Sequence, residues 1–103
     1  MPQRILAGQP VDVNEEGYFT NPMQWNEEIA QELAREVGIS LTDQHWQVLN
    51  LLRSKFNAGA PLSIRRIGKS GLVSIKEFYQ LFPGGPLKVS SKIAGIPKPA
   101  SCI

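Results

Sequence analysis

Gly84–Ile103 reads GGPLKVSSKIAGIPKPASCI. A short helix is predicted from about Pro86 to Ala94, and Gly95 is its natural stop, because glycine takes positive φ without a Cβ clash. Pro97 and Pro99 bias the next residues towards an extended, polyproline-like path, since proline fixes φ and cannot donate a backbone hydrogen bond. The stretch therefore reads as a helix followed by a thin arm, residues 96–103, that carries the single cysteine of the chain, Cys102. A thiol on a reaching arm is a poor structural staple and a good delivery group.

Upstream, Pro83-Gly84-Gly85-Pro86 turns the chain into that helix. Ser63 is positioned to cap IRRIGKS, Gly71 breaks the run, and Ser74 opens SIKEFYQLF with Glu77 at capping-box spacing. Phe78, Leu81 and Phe82 are expected to pack inwards. A longer helix is predicted from Thr42 as N-cap to about Phe56, with Trp46, Leu49, Leu52 and Phe56 on one face and Val48 and Leu51 widening it. The first helix is placed from Asn26 as N-cap to Gly38, with Ile29, Leu33 and Val37 as its apolar stripe and Trp25 stapled onto Ala30. Residues 4–20 alternate as a small meander, with a Gly-Gln-Pro turn at 8–10 and a second turn at Asn14–Gly17 before Tyr18 and Phe19. Strands this short must lie against helices. There are no repeats and no low-complexity tract, so residues 1–95 are expected to form one globular domain.

The 103 residues and 42% hydrophobic content suit one small core, and no run approaches the roughly 20 apolar residues that span a bilayer. With no basic-then-apolar leader and a lone cysteine that cannot form an internal disulfide, the expected address is the cytoplasm. The net charge of +2 hides an asymmetry. Residues 1–52 hold two basic side chains against eight acidic ones; residues 53–103 hold nine basic ones against Glu77 alone. Two explanations fit: an anionic or acidic partner for the C-terminal half, or an acidic half that faces the basic half within the fold.

Cys102 leads the candidates for chemistry. Its thiolate can attack a partner's persulfide or disulfide by exchange. Lys98 is the nearest basic side chain, and an incidental surface cysteine is the plain alternative. His45, the only histidine, falls at the third position of the predicted second helix, where a surface imidazole is the commoner fate than a catalytic base. One cysteine and one histidine far apart give a zinc site too few ligands, and no phosphate loop, dinucleotide fingerprint or serine elbow occurs. Arg65, Arg66, Lys69, Lys76, Lys88 and Lys92 make the basic surface. Residues 63–82 resemble a helix-turn-helix in outline, yet Lys76, Glu77 and Gln80 are a thin set for reading base edges. A cationic collar that holds the arm, or a partner's anionic sulfur, is the competing reading.

The chain resembles the TusE/DsrC/DsvC sulfur-relay family. The similarity rests on LFPGGP at 81–86 and KIAGIPKPASCI at 92–103, with weaker matches at DVNEEGYF (12–19), Trp25, GISLTDQHW (38–46) and IRRIGK (64–69). It implies an α+β fold: a small N-terminal meander, about five short helices and a mobile C-terminal arm. It also implies a role in which the penultimate cysteine, here Cys102, is presented to other proteins as a persulfide carrier or as a co-substrate of a siroheme sulfite reductase. Sulfite reductase members carry a second cysteine where this chain has Ser91, so an intramolecular disulfide or trisulfide is closed to it. That departure favours the TusE-like branch, which passes sulfane sulfur towards tRNA 2-thiouridine. A short segment between Gly71 and Phe78 points the other way, since it lacks an insertion seen in well-known TusE proteins.

The expectation is thus a cytoplasmic sulfur carrier with Cys102 as the reacting residue. It needs no metal or organic cofactor. Arg65 or Arg66, Lys92 and Lys98 would steer an acidic partner or stabilise the persulfide. Its partners would be an upstream persulfide donor and a downstream thiouridylase or sulfite reductase, with no membrane. The alternatives are a gamma-subunit-like partner of dissimilatory sulfite reductase and, from another class, a helix-turn-helix DNA-binding regulator.

Overall fold

Ala7 and Gly8 adopt φ of 50° and 77° and alone turn the first hairpin of the computed structural model, which describes residues 2–99. Two left-handed central residues make a type I′ turn, whose twist matches that of the flanking strands. Strand β1 (Gln3–Leu6) therefore pairs antiparallel with β2 (Gln9–Asp12), Leu6 opposite Gln9 and Gln3 opposite Asp12. The turn lies one residue earlier than expected from Gly-Gln-Pro, and Gln9 and Pro10 belong to β2. The next turn is the expected one: the Asn14 side-chain oxygen accepts from the amides of Glu16 and Tyr18. A single bridge, Val13 to Phe19, stands where a third strand would complete the meander. The hairpin is tied to the first helix by an Arg4–Glu36 ion pair at 2.6 Å and by the Ala7 amide donating to the Glu32 carboxylate.

Helix starts follow local capping chemistry. A single 3-10 turn at Pro22–Gln24 leads to α1 (Glu27–Glu36), where the Asn26 side chain accepts from the Ile29 amide. Helix α2 (Asp43–Asn57) begins after Thr42, α3 (Ile64–Lys69) after Ser63, and α4 (Ile75–Leu81) with the reciprocal Ser74–Glu77 box. Helix α5 (Pro86–Ile93) follows the two left-handed glycines Gly84 and Gly85. The ends of α1, α2 and α5 share one geometry. At each, two amides fold back on the last turn: Gly38 and Ile39 to Arg35 and Ala34, Gly59 and Ala60 to Phe56 and Lys55, Gly95 and Ile96 to Lys92 and Ser91. This is the Schellman motif, which satisfies helix-end carbonyls that would otherwise lack partners.

The result is an α+β fold. Helix α5 packs against α1, α2 and α4, and β1 lies on α1. The core joins Leu6, Val11 and Phe19 from the hairpin region to Ile29, Leu49, Leu52, Phe78, Phe82, Leu87, Ile93 and Ile96, each almost wholly buried.

Two expectations change and one gains a partner. The buried stripe of α2 is His45, Val48, Leu49 and Leu52, so Trp46 is half-buried and Phe56 sits on the rim. Val37 ends α1 rather than continuing its stripe and is 56% exposed. Trp25 reaches α5 through its indole, a contact beyond the expected staple onto Ala30.

His45 is the main correction. It was expected on the surface and is 93% buried, with 7% relative exposure. The Thr42 amide donates to its Nδ1 at 3.1 Å, so the proton sits on Nε2 and is donated to the Leu81 carbonyl at 2.8 Å. Its ring meets Phe82 edge-on, with centroids 5.1 Å apart. Nδ1 thus closes the start of α2 and Nε2 ties it to the end of α4, so both ring nitrogens have structural partners.

Candidate functional site

The C-terminal segment continues from the end of α5, and its described residues stay against the globule, with Ile96 and Pro99 buried. The free carbonyls of that helix end are taken by side chains from distant elements. Trp25 Nε1 donates to the Ile93 carbonyl at 2.7 Å, and Arg53 Nη1 donates to the Ala94 carbonyl at 2.8 Å. Arg53 Nη2 donates to the Pro22 carbonyl at 3.0 Å, and the guanidinium lies 4.2 Å from the centre of the Trp25 ring. Burial pulls the Arg53 pKa down from its ordinary value, because desolvation disfavours the charged form. The group remains a cation, suitably placed at the negative end of a helix dipole. Neither Trp25 nor Arg53 was singled out for this role by sequence; Arg53 counted only as one of nine basic residues.

Ile96, expected to begin the arm, is fully buried and its amide is bonded to Ser91. Pro97, Lys98 and Pro99 then line a groove of about 230 Å³ with Phe56, Ala60, Pro61 and Leu62. Cys102 lies outside the described residues, three positions beyond Pro99.

The proposed cationic collar divides into two groups. Lys98 reaches back to Glu16 at 2.8 Å, and Lys92 sits 5.1 Å from the centre of the Tyr18 ring. Arg65, Arg66 and Lys69 are exposed along a separate open groove of about 770 Å³ with Ile64, Ile75 and Tyr79. Arg66 and Lys69 also border a depression lined by Ala60 and Pro61, the same two residues that line the groove of Pro97–Pro99. Arg65 does not. Among the described residues the acidic and basic halves meet in one ion pair, Glu16–Lys98, while Arg65, Arg66 and Lys69 have no carboxylate partner.

The Glu16 carboxyl is held below its ordinary value of 4.5, first by the hydrogen bond from Lys98, with help from the charges of Lys98, Lys92 and Lys88 and against some desolvation. A depressed carboxylate stabilises the folded state above its unfolded value; that contribution is lost as pH falls through the folded value. The pair is solvent-exposed, so its weight in stability is small. An NMR titration should find the Glu16 midpoint below 4.5, and Lys98→Ala should move it up. A midpoint that Lys98→Ala leaves in place contradicts the pairing.

Ser91 is fully buried on α5, and its hydroxyl has no hydrogen-bond partner among the described residues. The helix-turn-helix outline is present as α3 and α4, of six and seven residues. Glu77, one of its three candidate base readers, is engaged by Ser74 and Gln44. Among the described residues there is no cluster of three or more potential metal ligands, and no helix is long and apolar enough to cross a membrane.

Known proteins agree on the kind of molecule this is. The family model described as "DsrC like protein" matches residues 5–103. The protein called Sulfurtransferase TusE of Yersinia pseudotuberculosis is 38% identical, over 95% of this chain and 98% of its own; the Escherichia coli K12 protein of that name is 37% identical over 96% and 98%. The oxidized gamma-subunit of the dissimilatory sulfite reductase (DsrC) from Archaeoglobus fulgidus superposes with a TM-score of 0.81 at 31% identity, covering 99% of this chain and all of its own. DsrC of Allochromatium vinosum gives 0.80 at 32%, covering 98% and 97%. With its hairpin, five helices and full-length likeness to both groups, the chain belongs to the DsrC-like family.

Proposed function

We propose that this protein is a cytoplasmic sulfur carrier that accepts sulfane sulfur on Cys102 and passes it to a second protein. One observation carries the reading: the only thiol in the chain is at position 102, in a full-length relative of proteins named Sulfurtransferase TusE. The Cys102 thiolate attacks the outer sulfur of a donor persulfide. A new S–S bond forms to Cys102, the donor's S–S bond breaks, and the donor leaves as a thiolate. The outer sulfur keeps its proton, so no net oxidant or reductant is consumed. The same exchange in reverse sense hands the sulfur to an acceptor thiol.

The donor would be a persulfide-bearing protein and the acceptor a thiouridylase that makes tRNA 2-thiouridine. Lys92 and Lys98 flank the root of the segment, and Arg66 lies across the Ala60–Pro61 loop from it. These cations would attract an acidic partner or an anionic persulfide, with Arg65 contributing from further along the groove. A second reading, association with a dissimilatory sulfite reductase, draws on the likeness to the Archaeoglobus fulgidus gamma-subunit. Ser91 weighs against the version of that role that uses two cysteines.

The test is intact mass spectrometry after incubation with a persulfide donor. The wild type should gain the mass of one sulfur atom on the peptide containing Cys102, and Cys102→Ser should gain none. Equal labelling of both proteins overturns the assignment.

A further inference from the structure

We infer that three adjoining grooves along α3, α4 and Pro97–Pro99 form one docking track for an acidic, amphipathic segment of a partner protein. The inference rests on the carrier reading in making that partner the protein with which sulfur is exchanged; the track itself is argued without Cys102.

The grooves share walls. Arg66 and Lys69 line both the groove beside Tyr79 and the next depression, of about 240 Å³. Ala60 and Pro61 line that depression and the groove of Pro97–Pro99. The track thus runs from α4 to Pro99, and its charge has one sign. Lys55, Arg65, Arg66, Lys69 and Lys98 line it, and no Asp or Glu among the described residues does. Glu77, the single acid of residues 53–103, is held by Ser74 and Gln44. Lys98 has Glu16 as its partner, whereas Arg65, Arg66 and Lys69 have no carboxylate among the described residues. Like charges gathered in this way repel one another, and an anionic chain laid along them relieves the repulsion.

The apolar side chains set among the cations decide which kind of anion fits. Gly68 has no side chain, and a Cβ there would overlap Ile75, so α4 lies close against α3. The Ile75–Tyr79 ridge then faces the same groove as Arg65 and Lys69. Ile75 and Tyr79 are one turn apart and are 45% and 50% exposed, and Phe56 beside the last groove is 36% exposed. Side chains one turn apart form a ridge against which the apolar face of a partner helix can pack. Ile64, Ile75 and Pro61 offer no aromatic face to a base and no donor to a phosphate. They do match leucine or phenylalanine side chains on an acidic chain, so a protein segment fits the track better than a nucleic acid.

The probe is a displayed library of random peptides of about 16 residues, long enough to form a helix on binding, selected on the wild-type protein. Enriched peptides should be acidic, with apolar residues three or four apart. Their affinity should fall about tenfold for Arg65→Glu/Lys69→Glu and about threefold for Ile75→Ser, and it should weaken with added salt. All three side chains are exposed, so both variants should melt within about 2 °C of wild type. Failure to enrich acidic peptides overturns the proposal, as does equal binding to wild type and variants. So does an oligouridine that binds more tightly than the peptides and loses affinity in the same variants, which makes the occupant a nucleic acid. At saturation, the best peptide should slow sulfur exchange about tenfold with a persulfide-loaded cysteine desulfurase or with a reduced thiouridylase, and leave acceptance from glutathione persulfide unchanged. Undiminished exchange with both proteins, or equal slowing with glutathione persulfide, overturns the docking role. A wild type that exchanges sulfur with none of the three sinks the carrier reading instead, and peptide binding still decides the track.

Discussion

Gly95→Ala is expected to destabilise the protein by about 3–4 kcal/mol. Two costs add. Gly95 has φ of +67°, where a Cβ costs roughly 1–2 kcal/mol. That Cβ would also overlap the Trp25 side chain, and no rotation of the methyl relieves the clash. Trp25 must move, which breaks its bond to Ile93 and its stacking under Arg53, each worth on the order of 1 kcal/mol. In a chain this size the thermal midpoint should drop by more than about 12 °C. In a Trp46→Phe background, the emission of Trp25 should also shift to the red as its ring leaves the helix end. A loss below about 1 kcal/mol with unchanged emission contradicts the packing described for this site.

His45→Ala is expected to cost about 3 kcal/mol. The substitution strands the Leu81 carbonyl and the Thr42 amide, and it opens a cavity beside Phe82. A stranded buried polar group costs about 1–3 kcal/mol, and removing a buried ring adds a cavity term. His45→Gln keeps a donor and an acceptor on the side chain and should recover part of the loss. The measurement is urea unfolding of the three proteins, read beside sulfur acceptance. A histidine that acted in catalysis would show the reverse signature, with lost acceptance at unchanged stability.

The helix starts were legible because capping is local chemistry. Asn26, Ser63 and the Ser74–Glu77 pair act within three residues of themselves, and each caps the helix assigned to it. The stops at Gly38, Gly59 and Gly95 follow from the same short range. What the sequence hides is contact across the chain. His45 sits at a helix N-terminus among polar residues, and its burial depends on Leu81 and Phe82, some 36 residues on. Trp25 was read only against its near neighbour Ala30, and its hydrogen bond goes to the Ile93 carbonyl, a backbone atom that no side-chain pattern announces. Arg53 was hidden for the same reason, although one signal was available: an arginine set directly beside the buried Leu52 on the central helix. Charge counting also missed the division of the basic residues. Lys92 and Lys98 lie towards the N-terminal half, and Arg65 and Arg66 line a separate groove.

Family membership was legible in the last twenty residues, and the fold agrees with it over nearly the whole chain. The domain boundary drawn after Gly95 falls at a packed position, since Ile96 is part of the core. The segment therefore starts from a fixed base, and the proposed chemistry is placed at its far end.

Carriage of sulfur from one protein to another is tested most directly with a heavy isotope. The protein is loaded from a persulfide donor labelled with sulfur-34, freed of donor, and mixed with a reduced thiouridylase. Intact masses should show the heavy atom leaving the peptide containing Cys102 and appearing on the acceptor, with no transfer through Cys102→Ser. A label that stays on this chain, or that the serine variant relays equally well, contradicts the account.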